Sequence, residues 1–304
     1  MTLQEDKPYV YDKVVQHGMR IVRIEPSYIC NLRCKHCCVR ELQGEQGRSM
    51  TIEDIQSISW QVDELGFAQF VISGGEPLIY PNFDEIVQAI DPKKFYITTD
   101  TNGWYLDEQR AKHLKSIGVD KVQVSIDSLD HNEHDEFRGK TCSWSLAFGA
   151  VRNCKNVGIN VIVQTVVDKQ RARSQELVGF LEYFSAWKVP VCILYAKPVG
   201  AWKNNVDVLL TQKEIDYVEL LAKSYGAFSH LTPDGSCIAM RRMINITKFG
   251  DVNPCPVMQE YSIGNVFNEP LADIVRQGDK EFSERVPTCM MAVDPDYLRR
   301  KCEI

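Results

Sequence analysis

The chain has 304 residues, of which 44% are apolar and 25% are charged, and its formal net charge is −6. This composition is that of a globular protein, and the excess of acidic residues disfavours binding to nucleic acid or to a membrane surface. No apolar stretch is long enough to predict a membrane span and the first residues lack the apolar run of a secretory signal, so we expect a cytoplasmic protein.

Six strand-like segments alternate with helix-like segments between about residue 20 and residue 200. The predicted strands are Arg20–Glu25, Ala68–Ser73, Lys94–Thr99, Lys121–Asp127, Ile159–Val167 and Val189–Ala196. Helices are predicted after Thr51, after Asn82, from Leu106, over Ser143–Val157 and after Ser174. This alternation predicts parallel βαβ units, which wind into a partial barrel or a doubly wound sheet.

The pattern becomes shorter and less regular after about residue 200. Thr211 and Glu214 form a capping-box pair for one helix, residues 243–252 are typical of a hairpin that turns at Gly250, and a short helix follows Pro270. We therefore predict a second, smaller domain; the expected ranges of the two domains are 18–205 and 206–304.

Cysteine is unusually frequent, with 11 residues in the chain. Disulfides are disfavoured in a reducing compartment, so clustered cysteines indicate metal binding or catalysis. One group lies near the start of the chain and another lies in the last quarter: Cys30, Cys34, Cys37 and Cys38, then Cys237, Cys255, Cys289 and Cys302. Two groups predict two metal sites. The remaining cysteines, and Cys38, are expected to be buried small apolar residues, with a hydrogen donor to a substrate radical as the alternative role.

Cys30, Cys34 and Cys37 lie within eight residues, which is close enough for three thiolates to converge on one iron–sulfur cubane. Three ligands leave one iron of the cubane open to an external chelator. A zinc site that includes His36 is the competing interpretation, although ligands at adjacent positions crowd a tetrahedral ion.

The Cys-x3-Cys-x2-Cys spacing after a first strand, with His36 before the third cysteine, resembles the radical S-adenosylmethionine (SAM) superfamily. The segment Gly-Gly-Glu-Pro after the second strand, which contains Gly74, Gly75 and Glu76, is similar to the glycine-rich segment of that family. We expect the glycines to let the backbone approach the ligand closely. The resemblance implies a partial parallel (β/α)6 barrel, a SAM-binding 4Fe-4S cluster on the three cysteines, and cleavage of SAM to a 5′-deoxyadenosyl radical that abstracts a substrate hydrogen.

Further residues at strand ends fit the same family. The resemblance implies that four of them contact SAM, although each is equally explained as a polar residue that caps a turn: Thr99, Asn102, Ser125 and Asp127. It implies that Arg138 pairs with the methionine carboxylate, where a surface arginine is the alternative. It also implies that Leu194 lies against the adenine, where a core leucine is the alternative.

Cys237, Gly250 and Cys255 form a Cys-x12-Gly-x4-Cys pattern that resembles the start of the SPASM and twitch modules, which hold auxiliary clusters in radical SAM enzymes. A full SPASM module continues with four more cysteines, whereas this chain continues with Cys289 and Cys302. We therefore expect a twitch-type module with one auxiliary 4Fe-4S cluster; a structural zinc or free thiols are the alternatives. Cys302 is the least secure ligand because chain ends fray, and without it one iron would be open to substrate.

The expected reaction is an oxidation, a crosslink or an epimerisation in the maturation of a peptide or natural product. Dehydrogenation or rearrangement of a small metabolite, such as an aminocyclitol, sugar or nucleotide, is the alternative, and a non-catalytic zinc-binding scaffold is a remote one. The first predicted strand begins at Arg20, so we expect any leader-binding domain to be a separate protein. A low-potential flavodoxin or ferredoxin is the expected electron donor, and no residue stands out as a general base.

Overall fold

The computed structural model describes residues 3–231, 235–284, 286–294 and 296–302, without the side chains of Leu298, Lys301 and Cys302. The strands are β1 Ile21–Ser27, β2 Gln69–Gly74, β3 Tyr96–Thr101, β4 Lys121–Ser125, β5 Asn160–Val167, β6 Val191–Tyr195, β7 Phe228–Ser229, β8 Met243–Ile246, β9 Asp251–Asn253 and β10 Gly264–Asn265. The helices are α1 Leu3–Asp6, α2 Pro8–His17, α3 Ile52–Glu64, α4 Phe83–Ile90, α5 Glu108–Ser116, α6 His131–Arg138, α7 Ser143–Val157, α8 Gln175–Ala186, α9 Gln212–Ser224, α10 Leu271–Glu281, α11 Met290–Val293 and α12 Tyr297–Cys302.

All ten strands belong to one sheet, in the order β10-β9-β8-β1-β2-β3-β4-β5-β6-β7. The neighbours from β8 to β7 pair in parallel, whereas β8, β9 and β10 pair in antiparallel fashion. Side chains from β1, β4, β5 and β6 line one cavity, so the sheet curls around it: Ile21, Lys121, Gln164 and Cys192. The predicted partial barrel of parallel strands is confirmed.

The outer face of the sheet carries the main hydrophobic core. Ile72, Ile97, Val122 and Val163 are fully buried there, beneath the helices that connect the strands. Side chains alternate between the two faces of a strand, so the residues between these positions point into the barrel. One face is therefore closed by helices, and the other is free to form a site.

The helix starts predicted from capping pairs are confirmed. Thr51 accepts from the backbone N–H of Asp54, whose carboxylate accepts from the backbone of Thr51 in return. Thr211 and Glu214 form the same reciprocal pair before α9. The predicted helix Ser143–Val157 ends at Gly158, which has a left-handed φ of 69°.

The helices α2 and α6 were missed because their polar residues hide the apolar stripe. The helices α1, α11 and α12 were missed because four to six residues are too few for a periodic pattern. In α2 the ammonium of Lys13 is buried and lies 2.6 Å from Asp63, and it also donates to the carbonyls of Phe67 and Lys94. These residues precede β2 and β3, so the contacts fix α2 across the amino-terminal end of the barrel. In the sequence alone, a lysine such as Lys13 indicates a solvent-facing position, so the buried face of α2 could not be recognised.

The predicted hairpin at Gly250 is confirmed by the pairing of β8 with β9. It does not form a separate layer, because β8 also pairs with β1 over Met243 to Ile246. The sheet therefore continues across the boundary that we predict between residues 205 and 206. Within the described ranges, no helix is both long and apolar enough to cross a membrane.

Candidate functional site

The first cysteine group lies in the loop that follows β1. The thiols of Cys30, Cys34 and Cys37 are close enough for their charges to interact, and the pKa values of Cys30 and Cys37 are raised. Burial is the largest cause, and it raises the pKa of Cys30 to about 11 and that of Cys37 to about 12. Iron binds thiolates, so assembly of a cluster here would release protons from the loop.

Gly74 and Gly75 hold this loop against the end of β2. The backbone N–H of Gly75 donates to the carbonyl of Ser27 over 2.9 Å, and that of Glu76 donates to the carbonyl of Ile29 over 2.8 Å. A Cβ on Gly75 would overlap the carbonyl of Ile29, and one on Gly74 would overlap that of Ser27. The glycines are therefore required by the approach of the cysteine loop itself, and their approach to a bound ligand stays a prediction.

Glu76 is buried and uses its carboxylate to join β2 to the end of β3. It accepts from the hydroxyl of Thr101 and the N–H of Asn102, both over 2.7 Å, and from the N–H of Leu78 over 3.1 Å. Burial raises the pKa of Glu76 to about 7. The side-chain amide of Asn102 donates in turn to Asn31 in the cysteine loop over 2.9 Å. Glu76 and Asn102 thus position the loop.

Arg138 ends α6 beside the cysteine loop and is buried, not the surface residue of the alternative interpretation. Its guanidinium lies 2.6 Å from the carboxylate of Asp127 and 3.9 Å from the sulfur of Cys34. Burial opposes its charge, but Asp127 raises the pKa of Arg138, and Arg138 holds the pKa of Asp127 well below its usual range. The carboxylate of Asp127 also accepts from the N–H of Val166 over 3.0 Å, so it is already engaged within the protein.

The Nε atom of Arg138 is buried and has no hydrogen-bond partner among the described residues. The same is true of the Nδ1 atom of His36. Unsatisfied buried polar atoms are costly, so they indicate a polar group that the protein binds at this position. An anionic ligand beside three cysteines fits a SAM carboxylate on an iron–sulfur cluster.

His36 belongs to an aromatic group that also contains Phe137 and Trp202. Its ring stacks on Phe137 with 4.6 Å between centroids and lies 5.8 Å from the ring of Trp202. Burial, and then the charge of Arg138, lower the pKa of His36 to about 3, so the imidazole is neutral. Trp202 lies in a short turn of the irregular region, and the sequence offered no periodic signal for it.

The other predicted SAM contacts, Thr99, Ser125 and Leu194, do not all lie on the same side of the sheet. On the barrel side of β3, the hydroxyl oxygen of Thr98 accepts from the side-chain amide of Gln69, and Asp100 pairs with Arg23. Thr99 lies between them and is fully buried on the opposite, helix-facing side of β3. The structure therefore places the Thr99 side chain away from the cysteine loop. Ser125, at the end of β4, is half-buried, and Leu194 on β6 lines the cavity.

The second cysteine group joins three separate segments at the edge of the sheet. Cys237 precedes β8, Cys255 follows β9, and Cys289 caps α11. Burial raises the pKa of Cys237 to about 11 and that of Cys255 to about 12, and the neighbouring thiols contribute to both shifts. Tyr297 of α12 lies beside all three thiols. The side chain of Cys302 lies outside the described part of the chain, so its predicted role stays a prediction.

Within the residues that the structure describes, no three Cys, His, Asp or Glu side chains are grouped around a point that suits one metal ion. In a tetrahedral zinc site with bonds of about 2.3 Å, the sulfurs lie about 3.8 Å apart. In a cubane each thiolate binds a different iron, so the sulfurs stand farther apart. The lack of such a point among the described residues is therefore compatible with thiols that bind a cluster.

A cavity of about 470 Å³ extends from the second cysteine group to residues next to the first. His36 and Cys38 line it beside the first group, and Cys237, Cys255 and Cys289 line it at the second. Most of the remaining wall is apolar, with aliphatic and methionine side chains from the barrel and the C-terminal region. A substrate in this cavity would face the second group directly and would lie against His36 and Cys38 beside the first.

Two family models match the chain at these regions. Residues 24–175 match the radical SAM superfamily, and residues 237–302 match SPASM, an iron–sulfur cluster-binding domain. The chain belongs to the radical SAM superfamily. The radical SAM domain implies a 4Fe-4S cluster and SAM as cofactors, and the SPASM domain implies auxiliary iron–sulfur clusters.

The radical SAM relatives are diverse. A GTP 3′,8-cyclase of Synechocystis sp. is 30% identical over 227 residues, which cover 71% of this chain and 65% of the relative. The subtilosin biosynthesis protein AlbA of Bacillus subtilis is 24% identical over 82% of this chain and 58% of its own length. The chain thus spans less than two thirds of the length of these relatives.

The fold agrees with solved radical SAM structures. The Streptococcus suis protein SuiB, bound to its precursor peptide SuiA, superposes with a TM-score of 0.68 at 17% identity, over 88% of this chain and 68% of SuiB. At this identity the likeness concerns the fold alone. The partial barrel and the C-terminal cysteine region are both features of that architecture.

Proposed function

We propose that Cys30, Cys34 and Cys37 hold the SAM-binding 4Fe-4S cluster and that Cys237, Cys255 and Cys289 hold one auxiliary 4Fe-4S cluster, with Cys302 as the candidate fourth ligand. The observation that carries the proposal is the cavity, which is lined by all three cysteines of the second group and by His36 and Cys38 beside the first. When bound, the first cluster and SAM supply a 5′-deoxyadenosyl radical that removes a hydrogen atom from the substrate.

The residues around the first group have separate tasks in this proposal. The free Nε of Arg138 is the donor that we assign to the methionine carboxylate, because it is buried beside Cys34 and is not used by Asp127. His36, with Trp202, forms the aromatic wall of the SAM site. Gly74, Gly75 and the Glu76 network keep the cysteine loop rigid, so that the geometry of the reaction is held.

We propose that the substrate is a peptide and that the reaction is a two-electron oxidation, a crosslink or an epimerisation. AlbA is named for the biosynthesis of a bacteriocin, and SuiB is seen with a precursor peptide. Oxidation is favoured because the second cysteine group faces the same cavity, where an electron acceptor is needed. The alternative substrate is a small metabolite, which is supported by the GTP cyclase relative and by the limited size of the cavity.

The proposal has three further parts. The residues of the core domain are 18–205 and those of the auxiliary domain are 206–304. A low-potential flavodoxin or ferredoxin supplies the electron, and the enzyme acts in the cytoplasm. No nucleic-acid partner is proposed, because the net charge is −6.

Two triple variants test the assignment of the ligands. After anaerobic reconstitution, the protein should bind about eight irons per chain, and either the Cys30/Cys34/Cys37→Ala or the Cys237/Cys255/Cys289→Ala variant should bind about four. Only the first variant should lose the formation of 5′-deoxyadenosine from SAM in the presence of dithionite. Cys142→Ser, at an exposed cysteine outside both groups, is the matched control and should keep all the iron. An unchanged iron content in either triple variant would refute that half of the proposal.

A further inference from the structure

The cavity between the cysteine groups is lined by more positive than negative side chains. Its charged lining consists of five cations and one acid: Arg23, Lys121, Lys197, Arg241, Arg242 and Glu284. The chain as a whole has a net charge of −6, so the charge of the cavity lining is opposite in sign to that of the whole chain. Positive potential in an apolar cavity favours an anionic ligand.

Four of these five cations have an evident role or lie in solvent. Arg23 pairs with Asp100 over 2.6 Å. Lys197 donates to the carbonyl of Tyr195 over 2.6 Å and lies near the second group of thiols, as does Arg241. Arg242 is exposed.

Lys121 is the fifth cation, and it is half-buried at the start of β4, on the cavity face. Among the described residues its ammonium has neither a hydrogen bond nor an ion pair; it lies 5.8 Å from the centre of the Tyr96 ring. The acid near it, Asp100, is already held by Arg23 and Gln123. Burial lowers the pKa of Lys121, and the nearby Cys192 and Asp100 do not fully offset this effect.

The wall around Lys121 suits one kind of anion. Gln164 also lines the cavity, but it pairs with Ser125 at the other end of β4, so the ammonium of Lys121 is the donor available at this end. A carboxylate carries a single charge and is balanced by one ammonium. A phosphate would keep a second charge uncompensated among apolar side chains.

We propose that Lys121 binds a carboxylate of the substrate, whose mainly apolar body extends through the cavity towards the cysteine loop. Lys121 and Ser125 mark the two ends of β4, which are about 13 Å apart at about 3.3 Å per residue. The carboxylate therefore lies at the far end of the cavity from SAM, and the C–H bond that reacts is several bonds away from it. The position of the reacting C–H bond rests on the proposed function, whereas the binding of a carboxylate by Lys121 does not.

Two probes of equal length test the charge at Lys121. Octanoate and octanol are titrated calorimetrically into the reconstituted protein under anaerobic conditions. We expect octanoate to bind at least about tenfold more tightly than octanol, and Lys121→Met to remove this preference without weakening octanol. Lys121→Arg should keep the preference. Lys112→Met, at an exposed lysine on α5, is the matched control and should behave like the unmodified protein.

Equal affinities for the two probes, no binding of octanoate, or an unchanged preference in Lys121→Met would overturn the inference. Formation of 5′-deoxyadenosine without substrate and the iron content are measured on the same samples. They should be unaltered in Lys121→Met, because Lys121 contacts neither cysteine group. Failure of the ligand assignment would appear in those two measurements, whereas failure of this inference would appear in the titration alone.

Discussion

The two cysteine groups are supported in different ways. The first lies in a single loop, which is held by the ends of parallel strands, by the glycine contact of β2 and by the buried pair of Arg138 and Asp127. The second joins three segments, which are held by a short hairpin and by helix ends at the edge of the sheet. The first site thus depends on close backbone packing, and the second depends on turns that bring distant residues together.

The largest effect should come from a substitution that separates the cysteine loop from β2. In Gly75→Ala the new Cβ overlaps the carbonyl of Ile29, so the loop must move. We expect loss of about four irons per chain and a fall of at least about a hundredfold in the formation of 5′-deoxyadenosine. Iron analysis and mass spectrometry measure the two effects.

Gly149→Ala is the control for this substitution. Gly149 lies inside α7 and has open space around a Cβ, so alanine should keep all the iron and raise helix stability by up to about 1 kcal/mol. If Gly75→Ala retained the iron and activity of this control, the glycine contact would not be what holds the first group.

A smaller effect, confined to the second group, should follow from Gly250→Ala. Gly250 has a φ of 85°, and a Cβ there would lie 2.7 Å from the ring of Phe267. We expect the hairpin to be weakened, so that about four irons are released to a chelator about tenfold faster, the equivalent of about 1.4 kcal/mol. Formation of 5′-deoxyadenosine without substrate should stay within about twofold of the unmodified protein. If Gly250→Ala released iron from the first group instead, the two cysteine groups would not be held by separate parts of the structure.

The smallest effect is a pH dependence that belongs to the first group. Burial raises the pKa of Glu76 from 4.5 to about 7, so the folded protein binds this proton more tightly than the unfolded chain does. Protonation of Glu76 therefore contributes fully to the free energy of unfolding below pH 4.5, and this contribution is lost as the pH rises through about 7. Thermal unfolding at about pH 5 and about pH 8 should show a larger fall for the unmodified protein than for Glu76→Gln, which cannot ionise. Equal falls would contradict the assigned pKa.

Much of the barrel could be predicted because its signals are local. Capping pairs such as Thr51 with Asp54 mark helix starts through contacts three residues apart, and apolar runs mark the strands. The pairing of β8 with β1 could not be predicted, because it joins residues more than 200 positions apart and has no local signature. The helices α2 and α6 were missed because charged residues within them are buried by tertiary contacts.

The site shows the same division. The spacing of Cys30, Cys34 and Cys37 was enough to predict a cluster loop, and the structure brings these residues together. Other features depend on which side of each strand meets which neighbour. Examples are the hydrogen bonds of Thr101 and Asn102 to Glu76 and the lack of a partner for Lys121 among the described residues of the cavity. A single sequence does not carry that information, because a polar residue at a strand end is compatible with several partners.

The parallel pairing of β8 with β1 has a consequence for synthesis and folding. β1 is among the first strands to leave the ribosome, yet one of its edges is covered only when Met243–Ile246 has been made. Until then the nascent chain presents unpaired backbone amides on an apolar strand, which is a template for association with other chains. A chain that stops before residue 243 should therefore aggregate, and recombinant yield should depend on slow translation or on a chaperone that shields this edge.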